Sequence, residues 1–136
     1  MTAPVQFAGK ALVLQYTTAA GGCTIGEGVV FASDTTVQDA GAASDLAVGI
    51  AASTTVADAL VDVYMFGYSV IPVTVGTGGA TRGTKAVLVG DGFTNAAAHD
   101  SDGGVGNTSV YGVFMQSGVA TDRVGLLLTG TDSRGV

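Results

Sequence analysis

Hydrophobic and polar positions alternate most clearly in ALVDVYMFGYSVIPVTV, residues 59–75. Leu60, Asp62, Tyr64 and Phe66 fall on one face, and Val61, Val63 and Met65 on the other. A period of two in β-branched and aromatic residues predicts strands that bury at least one face. After Gly67 the apolar path resumes through Val70, Ile71, Val73 and Val75. Glycine inside such a run predicts a bend, a bulge or a tight turn with Tyr68. Pro72 has no N–H for a ladder, so its segment belongs at an edge, a bulge or a strand start. This pair of strands is expected at the centre of an all-β domain.

The rest of the chain repeats the theme in shorter pieces. Strand-like runs are ALVLQY (11–16), VVFA (29–32), LAVGIAA (46–52), AVLV (86–89), VYGVFM (110–115) and VGLLL (124–128), with a short candidate at 36–38. Between them lie turns such as TTAAGG (17–22), Gly26-Glu27-Gly28 and Gly90-Asp91-Gly92. Residues 93–106 read as an exposed hairpin or loop tip, and 129–136 as a polar tail. Helical possibilities are confined to 55–60 and 96–99. Closely spaced strands with glycine turns predict a compact β-barrel or sandwich with little helix. The expected division is an N-terminal arm at 1–10, one β domain at 11–129 and a C-terminal tail at 130–136. The arm competes with a frayed terminus or a first edge strand.

One internal echo stands out. LAVGIA (46–51) is followed after a small-residue link by VDVY (61–64), and VYGVF (110–114) after a similar link by VGLL (124–127). Both read strand with a central glycine, link, strand. A repeated hairpin and a coincidence in a chain rich in Gly and Val both account for it.

Composition changes the picture of the surface. The chain has 136 residues, enough for one domain with a substantial core and no need of a disulfide. Its single cysteine, Cys23, has no intramolecular partner, which fits a reducing compartment of origin. Charged residues are only 12% and glycines number 22, so the surface is expected to be neutral or covered by partners. With a formal charge of −6 and five scattered basic residues (Lys10, Arg82, Lys85, Arg123, Arg134), nucleic-acid binding is not expected. No apolar run is long enough for a membrane span, and MTAPVQFAGK lacks the charge pattern of a secretory signal.

Candidate chemistry is thin. GGATRGTK (78–85) has the glycines of a phosphate loop, but Gly83 is followed by Thr84 and then Lys85, and strand follows instead of helix. His99, Asp100 and Asp102 offer a weak cation site, yet a calcium loop opened by Asp100 would need an acid where Tyr111 stands. Cys23 and His99 are too isolated to make a zinc set, or a nucleophile and base. Glu27 is the single glutamate and lies in a turn, and Asp58 and Asp62 share a face only on a helix. Tyr64, Phe66, Tyr68, Tyr111 and Phe114 could line a sugar-binding face, although packing accounts for them with fewer assumptions. No catalytic residue, cofactor site or metal site is assigned, and the chain is not expected to be an enzyme.

The succession LAVGIA, VDVYMFG, IPVTVG, TKAVLVGDG, VYGVFM and VGLLL resembles the small capsid decoration (cement) proteins of tailed bacteriophages. The resemblance runs from about Leu12 to Leu128 and is one of pattern and composition. It implies a barrel-like or tulip-shaped β-fold that trimerises on the outer surface of the head, at or near three-fold positions. Such a protein is made in the bacterial host cytoplasm and ends in the virion. Its partners would be the major capsid protein and further copies of itself, with no nucleic acid or membrane. It would lock the shell against the pressure of packaged DNA. An N-terminal arm of Thr2, Ala3, Pro4, Val5, Gln6 and Phe7 would contact the shell. The alternative is a non-catalytic carbohydrate- or ligand-binding β-module of a phage or bacterial surface structure.

Overall fold

The computed structural model describes residues 12–41, 47–65, 69–96 and 109–133. Ten strands lie in this order: β1 (Val13–Thr18), β2 (Gly28–Phe31), β3 (Thr36–Asp39), β4 (Gly49–Ala51), β5 (Leu60–Met65), β6 (Ser69–Thr74), β7 (Lys85–Val89), β8 (Gly92–Asn95), β9 (Ser109–Phe114) and β10 (Arg123–Ser133). There is no helix among the described residues, so the protein is all-β, as the alternation predicts. Residues 55–60, a helical candidate in the sequence, instead hold the bridging residue Thr55, a turn and the start of β5.

The strands form two sheets. The first closes into a barrel in the order β1-β3-β2-β4-β5. The second runs β6-β10-β9-β7-β8, and a parallel bridge between Val75 and Phe93 ties its two edge strands together. The central pair expected from the sequence is therefore divided. β5 pairs with β1 and β4, whereas β6 pairs with β10. Residues 59–75 are where the chain passes from one sheet to the other. The alternation within β5 holds: Val61 and Val63 are buried in the barrel, while Leu60 and Asp62 are exposed. Pro72 lies on an edge strand of the second sheet, the place its missing N–H demands.

The two sheets are copies of one plan. Thr17 faces Leu60, and Thr74 faces Arg123, in the same antiparallel register. Val29 faces Asp39 and Gly49, and Ala86 faces Asn95 and Gly112. Equivalent residues stand 57 apart early in the repeat (Thr17 and Thr74) and 63 apart late in it (Gly49 and Gly112). The turns agree as well. Gly22 and Gly79, Gly26 and Gly83, and Asp58 and Thr121 all have positive φ. The echo in the sequence is thus the second half of a duplication that covers both sheets. Its central glycines are required by close approach: a methyl group on Gly49 or Gly112 would strike the carbonyl oxygen of Tyr64 or Leu127 on the facing strand.

Each repeat has its own core. Cys23, Val29, Val37, Ala51, Val61 and Val63 fill the first barrel. Their counterparts Ala80, Ala86, Phe93, Phe114, Val124 and Leu126 lie in the larger cluster of the second. That cluster also takes in Ala40, Ala47 and Ile50, with Val30 and Tyr64 against it, all from the outer face of the first barrel. Phe93 and Phe114, where the first repeat has Val37 and Ala51, supply the greater volume. Two expectations change here. Phe93 and Thr94 belong to buried strand β8, not to an exposed loop tip, because Phe93 is a core residue packed edge-on against Tyr111. The last strand continues to Ser133, past the expected start of the tail, because an irregularity between Leu128 and Asp132 lets β10 stay paired with β9.

Candidate docking surface

A six-residue signal marks each repeat: GGCTIG at 21–26 and GGATRG at 78–83. Its threonine carries a two-point clamp. The Thr24 N–H donates to Asp39 Oδ1 at 2.7 Å and its hydroxyl to Asp39 Oδ2 at 2.6 Å. In the second repeat the Thr81 N–H donates to Asn95 Oδ1 at 2.8 Å, and Asn95 Nδ2 donates to the Thr81 hydroxyl at 3.0 Å. Either side chain ties the turn before the second strand to the end of the third. The spacing of this motif was the missed clue to the full duplication.

The turn at Ile25–Gly28 is also where the repeats meet. Thr74 N–H donates to the Gly26 carbonyl at 2.9 Å, and its hydroxyl to the Ile25 carbonyl at 2.9 Å. A methyl group on Gly26 would collide with Thr74 Oγ1 and come within 2.9 Å of Arg123 Nε. One on Gly28 would come within 2.8 Å of Leu88 Cδ1. Beside them, the Ala47 N–H donates to the Tyr111 hydroxyl at 3.2 Å. The first barrel therefore plugs the seam between β6 and the β7–β8 hairpin. The Arg123 guanidinium is held at that junction, with Nη2 donating to the Pro72 carbonyl at 3.1 Å and a buried Nε without a hydrogen-bond partner. Burial lowers its pKa.

Among the described residues, the equivalent seam of the first barrel carries no such plug. Leu14 and Phe31 are 39% and 49% exposed, where their counterparts Ile71 and Leu88 are 0% and 1%. Leu60, counterpart of Arg123, is also exposed. The Tyr16 and Phe31 rings meet edge to face at 5.6 Å. Phe31, Ala32, Ser33 and Asp34 line a hollow of about 440 Å³ beside them. Leu12, two residues before Leu14, extends this apolar strip in a protein otherwise short of charge, while Val13 is exposed on the opposite face of β1. Exposed apolar strips of this kind mark contact surfaces more often than chemistry.

Among the described residues, those proposed for chemistry do not come together. Cys23 is buried, and burial, with Asp39 nearby, pushes its thiol up to about 11, so it is a poor nucleophile. The glycine-rich 76–84 stretch forms turns, a bridge at Ala80 and no helix, with Gly78, Gly79 and Gly83 at positive φ. Asp91 accepts the Thr77 N–H at 3.0 Å and its hydroxyl at 2.7 Å, bonds that lower its pKa. Burial, then Asp39 and Asp91, push Glu27 up to about 7. Asp58 occupies a turn and Asp62 accepts from Gln15 Nε2 at 3.2 Å on a strand, so they form no catalytic pair. Among the described residues no three His, Cys, Asp or Glu side chains are grouped to hold a metal ion. Nor is any helix there long and apolar enough to cross a membrane. Tyr111 is fully buried and Tyr64 half-buried. The arm residues Thr2 to Phe7, the Phe66–Tyr68 link and the His99–Asp102 group lie outside the described residues. No protein-family model matches the chain, and no curated protein matches its sequence.

Proposed function

We propose that this protein decorates the outer surface of a tailed-bacteriophage head, bound as a trimer at or near three-fold positions, and stabilises the shell against the pressure of packaged DNA. The observation that carries the reading is the apolar seam of the first barrel, which no described residue covers, in an all-β chain with few charges and no grouped catalytic side chains among its described residues. Such a surface suits a protein that works by being held against others. The sequence resemblance to phage decoration proteins names the shell, and the major capsid protein is the partner. Thr2, Ala3, Pro4, Val5, Gln6 and Phe7 then act as an arm that adds main-chain hydrogen bonds to the lattice. Many weak contacts summed over the lattice hold it together.

The test is co-sedimentation of the purified protein with expanded heads stripped of decoration, followed by heating of the decorated heads. Saturable binding and a higher disruption temperature support the proposal, and removal of residues 2–7 should abolish binding. Indifference of the heads to the full chain would overturn it.

A further inference from the structure

We propose that the junction between the two repeats is a pH-sensitive latch, closed while the Glu27 carboxyl carries a proton and loosened when it ionises. Glu27 stands in the contact itself. On one side of it the Gly26 carbonyl accepts the Thr74 N–H at 2.9 Å. On the other, Gly28 is pressed against Leu88, Ala47 and Phe93. The backbone is thus pinned at both neighbours, and the half-buried side chain meets water on only part of its surface while the repeats stay together.

Two further carboxyls converge on this turn. Asp39 is tied to it through Thr24, whose carbonyl accepts the Glu27 N–H at 3.1 Å and whose own N–H and hydroxyl bond Asp39. Asp91 comes from the second repeat, and its turn also closes on Thr74: a methyl group on Gly92 would strike the Thr74 carbonyl oxygen. The Thr77 hydroxyl and N–H bond Asp91 and favour its charged form. The cation at the junction, Arg123, lies beside Gly26 but donates Nη2 to the Pro72 carbonyl. Tyr64 and Tyr111 bring the phenols packed there among the described residues. Burial, then the charges of Asp39 and Asp91, push Glu27 from 4.5 up to about 7. Parting the repeats gives the carboxylate its water and moves it away from Asp91. Below 4.5 the carboxyl is protonated in either arrangement, and the latch is at full strength. Between 4.5 and about 7 the closed form alone keeps the proton, so closure weakens as pH rises and then levels off.

This inference does not rest on the capsid reading. Its test is amide hydrogen exchange of the full chain from pH 5 to 9, corrected for base catalysis. Two amides report on the junction: Thr74 N–H, bound to the Gly26 carbonyl, and Ala47 N–H, bound to the Tyr111 hydroxyl. Two serve as references inside the repeats: Cys23 N–H on the Thr55 carbonyl and Ala80 N–H on the Gly118 carbonyl. The expected result is that Thr74 and Ala47 open more readily than the references. Their opening should rise several-fold from pH 5 to 7, level off above it, and stay flat in Glu27→Gln. Opening that ignores pH overturns the proposal, as does a rise that persists in Glu27→Gln. So do junction amides that open no more readily than Cys23 and Ala80 at any pH, since the repeats then part only when the whole chain unfolds.

Discussion

Gly28 lies against Leu88 so closely that a methyl group would sit 2.8 Å from Leu88 Cδ1. Ala47 Cβ, at 3.2 Å, closes the other side. Gly28→Val should therefore force the repeats apart and cost about 1–3 kcal/mol, the usual range for overpacking a filled core. Urea unfolding measures it. A variant as stable as the wild type would mean that the junction between the barrels is looser than this geometry.

The threonine clamp predicts an asymmetry between two substitutions at one position. Asp39→Ala leaves the Thr24 N–H and hydroxyl without acceptors and should cost about 1–3 kcal/mol, the range for stranding buried polar groups. Asp39→Asn should cost far less, because Asn95 serves the second repeat in the same place. Equal losses in thermal melts of the two variants would count against the clamp.

Glu27 gives the protein a pH-dependent weakness. Folded, its carboxyl holds a proton up to about 7; unfolded, it releases it near 4.5. Between those values the folded state binds more protons, so the contribution of Glu27 to stability falls as pH rises and stays low above the window. Glu27→Gln should melt higher than the wild type at pH 8, with the gap shrinking toward pH 5. A gap independent of pH would show that the carboxyl does not titrate in this way.

Cys23 should be silent in the native protein. With its thiol buried and pushed up to about 11, a thiol reagent at pH 8 should label it slowly until denaturant is added. Cys23→Ala should fold normally, since Ala80 occupies the same bridging position in the second repeat. Rapid labelling without denaturant would refute its burial.

Much of the architecture was legible in the chain. Strand positions followed from the alternation at Val61, Val63 and Met65 and from the apolar runs at β7, β9 and β10. The paired glycines Gly49 and Gly112 pointed to a repeat because both are dictated by a facing carbonyl, a local requirement that leaves a local mark. The earlier half of the duplication was harder to see. Apart from the glycines and threonine of its turn, the two copies share polarity more than identity, and Val37 aligns with Phe93, and Phe31 with Leu88.

By itself, the sequence determined an all-β fold and a period-two core, because each depends on residue type and near-neighbour spacing. Which strands pair was decided only in three dimensions. Residues 59–75 look like a hairpin, yet β5 and β6 join different sheets, since each finds its register with strands far along the chain. The candidate surface was settled in the same way. Leu14, Phe31 and Leu60 carry no mark that separates them from core residues, and what exposes them is that the first barrel covers the second while nothing described covers the first.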